Sequence, residues 1–253
     1  MKTFLGLAAA ALLLLHPTIA RGDEVTLIAP GGIKAAVEQL IPGFEQKTGH
    51  KVKATFGSGL GTKQQVARGE PFDVPIVQPP YPQVLSSGHV VAASETPLAS
   101  VAIGVAVRTG QRKPDVSTPE AVKRMLLAAK SVSYPDPAGG AAAGVSFTET
   151  LKKLGIAEQM QPKIKLAQGG AAAMAALAKG EVEIGLTFIS EIITEPGVES
   201  AGALPREIST PTALVGFVGA HAKAPAAANA LLAYLSSPEA ALVYRERGMQ
   251  PAR

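Results

Sequence analysis

The chain of 253 residues has no cysteine and no tryptophan, and its aromatics amount to seven phenylalanines and four tyrosines. Without cysteine there are no disulfide staples, no thiol nucleophile and no thiolate metal site, so stability has to come from a hydrophobic core, which a chain of this length can build. The four histidines, His16, His50, His89 and His221, stand far apart, and no H-E-x-x-H pattern occurs. No metal or other cofactor is expected. Lysine and arginine cluster no more densely than the pair Lys152-Lys153, which argues against nucleic-acid binding. The G-x-S-x-G elbow of serine hydrolases is missing, and "GSGLGTK" (57–63) matches neither the nucleotide P-loop nor the dinucleotide G-x-G-x-x-G spacing. After the first apolar stretch no run reaches bilayer length without Gly, Pro or charge, and no internal repeat is evident.

What the chain does have begins with Lys2, the apolar run Leu5–Leu15 and the small residue Ala20, the pattern of an export leader over residues 1–20. Cleavage after Ala20 and cleavage after Gly22 fit equally, and the expected location is the periplasm. Removal of Lys2 leaves 23 basic against 20 acidic residues, a net charge of +3. A mild positive field of this kind suits an anionic ligand.

The hydrophobic pattern alternates between strand and helix. "VTLIA" (25–29) reads as a buried strand, and Ile33, Val37, Leu40, Ile41 and Phe44 follow at helical spacing up to Gly49, with a kink expected at Pro42. "VKATF" (52–56), a short helix over 61–69 and "DVPIVQ" (73–78) complete a β-α-β-α-β unit, with Pro75 pointing to an irregular or edge strand. A second unit runs from the strand at 100–110 through a helix capped by Ser117 and Glu120, a strand at 131–137, a helix near 145–155, a strand near 163–167 and a helix at 170–179, to the strand at 181–188. A Gly/Pro/Thr-rich loop (194–211), a strand (213–221) and a helical stretch (225–247) follow. The fold class is therefore α/β with wound, mostly parallel sheet; a single sheet is one arrangement, and two modules with a leftover C-terminal strand and helix fit a two-lobed chain that crosses over and returns.

In such sheets ligands gather at the carboxyl ends of strands, where helix N-termini offer unpaired N–H groups. Four junctions there are rich in glycine and small residues: "APGGIK" (29–34), "FGSGLGTK" (56–63), "DPAGGAAAGVSF" (136–147) and "AQGGAAAM" (167–174). Small residues let backbone approach a bound group, so four junctions facing one cleft would cage an anion. Gly31, Gly32, Ser58, Gly59, Gly144, Val145 and Gly170 are the expected lining, with Thr62, Ser146, Phe188 and Ser190 beside them.

The segment "VTLIAPGGIKAAVEQLIPGFEQKTG", with F-E-x-x-T-G and the following G-E-x-x-D-V, together with "DPAGGAAAGVSFTETLKKLGI" and "KGEVEIGLTFISEI", strongly resembles periplasmic solute-binding proteins of the molybdate-binding type, including the branch that contains aconitate-isomerising members. The resemblance covers nearly all of the exported chain. It implies a type II binding-protein fold whose lobes, 21–101 with 212–253 and 102–211, are joined by two hinge strands near 100–102 and 211–214. It also implies a membrane permease as partner and a monomeric binding protein. In that family a serine of the first junction and a tyrosine after the second-lobe strand hold the oxyanion; alignment puts Gly32 and Phe188 there, while Ser58 keeps the second-junction hydroxyl.

Fewer hydroxyls leave a small tetrahedral dianion short of partners, so the expected ligand is a larger organic carboxylate, captured without chemistry. One alternative is an aconitate-type isomerase, for which Lys34, Glu191 and Tyr134 are the candidate proton carriers. The other is molybdate or tungstate binding proper.

Overall fold

The computed structural model describes residues 22–252, so the expected leader lies outside the described residues. Strand β1 (Glu24–Pro30) buries Val25, Leu27, Ile28 and Ala29, as an apolar strand covered on both faces requires. A 3-10 turn (Gly31–Ile33) leads into helix α1 (Lys34–Thr48), which buries Ala36, Val37, Leu40 and Phe44 along one stripe. The helix continues through Pro42 and stops at Gly49, whose φ of 76° supplies the left-handed cap. Next come β2 (Lys51–Gly57), α2 (Gly59–Ala67), β3 (Val74–Val77) and α3 (Pro82–Ser86).

The apolar stretch expected to be one strand at 100–110 is two strands, β4 (Thr96–Val101) and β5 (Ile103–Arg108), separated at Ala102 and belonging to different sheets. Helix α4 (Pro119–Ala128) is capped by Thr118, whose side chain accepts from the Ala121 N–H at 3.1 Å, while Ser117 bonds Asp115 instead. The cap thus sits one residue beyond the one expected, because Pro119 occupies the first helical position. The chain continues as β6 (Val132–Pro135), α5 (Ala142–Lys153), α6 (Ala157–Met160), β7 (Ile164–Ala167), α7 (Gly170–Ala178), β8 (Ile184–Phe188) and α8 (Ile189–Ile192). The region expected as a loop then holds β9 (Val198–Ala203), and β10 (Thr212–Gly216), α9 (Pro225–Leu235), α10 (Pro238–Glu246) and β11 (Met249–Pro251) close the chain.

Two sheets result, in the orders β11-β4-β10-β3-β1-β2 and β7-β6-β8-β5-β9. Each has a parallel half, β2-β1-β3 in sheet one and β7-β6-β8 in sheet two, and an antiparallel half formed by the strands that enter and leave. The α/β, two-lobed class expected from the sequence is the one observed, but the sheets are mixed and not mostly parallel, because the strands that enter and leave each lobe run antiparallel to the wound ones. Pro75 lies on an interior strand and not at an edge: its carbonyl accepts from Phe217, and its ladder to β1 is only two residue pairs long.

Helices α1, α9 and α10 cover one face of sheet one, where the rings of Phe44 and Tyr234 meet at 5.8 Å and the Tyr244 hydroxyl donates to the Leu235 carbonyl. Its other face packs Ile28, Val77 and Val215 against Val66 and Val84 of α2 and α3. In sheet two, Tyr134 and Phe147 form an edge-to-face pair at 4.9 Å under α5, and Ala173, Met174 and Leu177 of α7 cover Ala106 on the other side. With both faces of both sheets covered, strand ends are left as the places where a ligand can approach.

Candidate functional site

The carboxyl ends of β1, β2, β6, β7 and β8 converge on one cleft of about 940 Å3. From sheet one come Gly31, Gly32, Ser58, Gly59 and Gln78, and from sheet two Asp136, Ala142, Gly170, Phe188, Ser190 and Glu191. Helices α5 and α7 begin at this cleft behind Ala141 and Gly169, and no side chain caps either one. Their first N–H groups therefore point into the cleft with the positive end of each helix dipole, an arrangement that favours an anion. At α2, by contrast, Ser58 Oγ accepts from its own Gly61 N–H at 3.0 Å. The hydroxyl still has a proton to donate.

The two glycines after β1 hold apart the elements of the opposite wall. A Cβ on Gly32 would lie 2.8 Å from Cδ2 of Phe188, and one on Gly31 would lie 3.3 Å from Oε1 of Glu191. The missing side chains thus make room for a ring and a carboxyl from the other sheet. Ser190 Oγ donates to the Gly32 carbonyl at 2.7 Å, and the Leu60 N–H donates to the Gly140 carbonyl at 3.1 Å, so the lobes are bonded to each other at two points beside the cleft.

Glu191 is the partly buried acid of the site. Thr187 Oγ1 donates to its Oε2, and a Cβ on Gly170 would overlap the same carboxyl. Burial pushes the Glu191 carboxyl above its ordinary value of 4.5, against hydrogen bonds from Thr187 and the Phe188 backbone that pull it down. At the rim Lys34 pairs loosely with Glu38 at 3.8 Å and sits 5.8 Å from the Phe56 ring centroid, while Arg247 donates to Gln39 Oε1 at 2.7 Å. The cations thus lie at the mouth and the carboxyl at depth. Among the described residues no three His, Asp or Glu side chains gather as a metal site would need, and no helix is long and apolar enough to cross a membrane.

Of the residues picked out from sequence, Gly31, Gly32, Lys34, Ser58, Gly59, Gly170, Phe188, Ser190 and Glu191 line this cleft. Thr62 does not: it is fully buried behind it, its hydroxyl without a partner among the described residues. Gly144, Val145 and Ser146 also lie off the wall, because α5 starts at Ala142 and not near 145, so the residues at its mouth are Ala141, Ala142 and Ala143. Gly144 is small for another reason, since a Cβ there would overlap the Pro135 carbonyl beneath the helix. Tyr134 is a core residue against Phe147, 5% exposed, and does not reach the cleft. Several polar lining residues escaped sequence reasoning, among them Gln78 after β3, Asp136 after β6, Glu195 after α8 and Arg247 after α10.

Comparison with known proteins agrees with this architecture. The chain is 31% identical to an aconitate isomerase of a Pseudomonas species, with 97% of this chain and 95% of that protein aligned. It is 28% identical to a molybdate-binding protein of Azotobacter vinelandii over 90% of each. The solved periplasmic molybdate-binding protein of Azotobacter vinelandii superposes with a TM-score of 0.76 at 20% identity, covering 90% of this chain and 100% of that one. The model of the family described as bacterial extracellular solute-binding protein matches residues 25–250, and the chain belongs to that family.

Proposed function

We propose that this protein is exported to the periplasm, captures an organic carboxylate between its lobes as a monomer, and presents the closed form to an ABC-type permease. In this reading residues 21–101 with 212–253 move as one lobe and 102–211 as the other, turning about the crossings at Ala102 and between β9 and β10. The observation that carries the ligand class is the cleft itself. Its volume of about 940 Å3 falls in the range of pockets that enclose organic ligands, roughly 300–1,000 Å3, and Phe188 fills the place opposite Gly32 with an apolar ring. Uncapped helix N-termini hold one carboxylate, and Lys34 and Arg247 at the mouth suit a second. Thermal unfolding in the presence of di- and tricarboxylates and of molybdate tests it: a carboxylate is expected to raise the melting temperature more than molybdate does. Sub-micromolar molybdate binding without carboxylate binding would overturn the ligand class.

A second reading rests on Glu191, a partly buried carboxyl facing the cleft with its proton affinity raised, in a chain 31% identical to an aconitate isomerase. Here Glu191 takes a proton from one carbon of a bound tricarboxylate and a proton is returned at the other end of the allylic system, shifting the double bond. Proton NMR of cis- and trans-aconitate incubated with the protein in D2O decides between the two. Absence of interconversion and of deuterium uptake above the protein-free control leaves capture alone; turnover that is lost in Glu191→Gln establishes the enzyme.

A further inference from the structure

Among the described residues Gln78 is the one cleft residue whose side-chain polar groups are sealed from solvent with nothing to bond. It follows β3 directly, is 2% exposed, and neither Oε1 nor Nε2 has a hydrogen-bond partner among the described residues. Folded proteins pair nearly all such groups, so an exception in the wall of a binding cleft points to a partner that arrives with the ligand. The surroundings are arranged around this amide. A Cβ on Gly59 would overlap Oε1, so glycine at the start of α2 is what leaves room for the carboxamide, with only the Gly59 backbone packed over it. Across the cleft Ala142, at the start of α5, presents no more than a methyl group toward Gly59.

We propose that Gln78 determines ligand specificity, selecting a carboxylate that bears a hydroxyl group over acids and oxyanions that offer acceptors only; this rests on the reading of the cleft as a site for organic carboxylates. A carboxamide presents one acceptor and one donor group whichever way it is turned. Fully ionised polyacids and molybdate can satisfy Nε2 but leave the amide oxygen facing another oxygen. A hydroxycarboxylate satisfies both, its carboxylate accepting from Nε2 and its hydroxyl donating to Oε1. The same carboxylate then lies beside the Ser58 hydroxyl and the start of α2, which are adjacent to Gln78 in the wall. Lys34 and Arg247 recognise charge at the mouth, whereas Gln78 reads the neutral group at depth.

Calorimetry on the purified protein tests this with pairs of probes that differ by one hydroxyl, citrate against tricarballylate and malate against succinate, with trans-aconitate, inorganic phosphate and molybdate alongside. The hydroxylated member of each pair is expected to bind about tenfold more tightly, the effect of leaving one buried acceptor unmatched. Gln78→Met, which keeps the shape and removes both polar groups, is expected to bring the pair within about twofold, chiefly by weakening citrate, because tricarballylate loses the Nε2 bond but is relieved of the unmatched oxygen. In the unaltered protein, the Gln78 side-chain NH2 resonances should shift with both acids and its side-chain carbonyl carbon with citrate alone, a readout that does not depend on the variant folding. Equal affinities in the wild type, a gap that survives Gln78→Met, or tighter binding of trans-aconitate or phosphate than of citrate would each overturn the assignment while leaving an anion-binding cleft in place. If molybdate binds and none of the organic acids does, the carboxylate reading falls first and this one with it.

Discussion

The wall that sheet one contributes to the cleft, Gly31, Gly32, Ser58, Gly59 and Gln78, is neutral, whereas the wall from sheet two sets Asp136 and Glu191 at equivalent strand ends. Both walls are built from strand-to-helix junctions, and both depend on glycine for close approach. The difference lies in what the small residues admit. On the first wall they expose backbone and one amide; on the second, Gly170 makes room for a carboxyl held by Thr187. A site made only of neutral donors would suit a bare dianion. A partly buried acid opposite them repels that dianion unless a proton is shared, which is the electrostatic side of the proposed preference for an organic anion.

The strongest way to break this comparison is to force the walls apart. Gly32→Val should push its methyls into the Phe188 ring and abolish measurable binding, with an overpacking cost to stability of about 1–3 kcal/mol; titration calorimetry and thermal melts read the two effects separately. Wild-type affinity in the variant would mean that the walls do not close on the ligand together.

Glu191→Gln removes the charge from the second wall while keeping a group that can bond Thr187. Because the folded protein holds the Glu191 proton more tightly than the unfolded chain, the wild type loses stability as pH rises from about the ordinary value of 4.5 through the raised one. Each unit of that rise corresponds to about 1.4 kcal/mol. Melts from pH 4 to 8 should therefore show the wild type falling relative to Glu191→Gln, and the anion should bind the variant more tightly at neutral pH. Parallel curves would mean that the carboxyl is solvated.

The smallest effect belongs to the rim. Lys34 is half-exposed and shared with Glu38, so Lys34→Met should weaken carboxylate binding only about threefold, and the difference should fade in high salt. A loss of a hundredfold would place Lys34 in the site itself.

The main alternation of strands and helices and three of the four glycine junctions are legible from residues alone, because apolar runs alternate with 3.6-residue periodicity and small residues mark the seams; the split of β4 from β5 and the short elements α3, α6, α8, β9 and β11 are not. The third junction was misplaced by three residues, since "AAAGVS" carries no polar residue to signal where α5 starts, and alanine serves there as the cap. β9, "VESAGA", has neither a β-branched run nor a buried face, and its strand character comes from the ladder to β5 alone. Tyr134 is a polar aromatic near a strand end, yet the packing of Phe147 decides its place. Arg247 reaches the cleft from the opposite end of the chain, a contact that only the return of α9 and α10 onto sheet one creates. Gln78 looks ordinary as a residue type; what sets it apart is the lack of a partner, a property of three-dimensional surroundings.

The bonds from Ser190 to Gly32 and from Leu60 to Gly140 tie together parts of the chain that the two crossings leave free to separate. Each net contribution is about 1 kcal/mol, so parting the jaws against both is disfavoured by roughly thirtyfold in equilibrium terms, before any ligand contact is counted. On the proposed hinge motion, release of a captured molecule carries this cost in addition to that of its own contacts, so substitutions at the seams should change release without touching the residues that read the ligand.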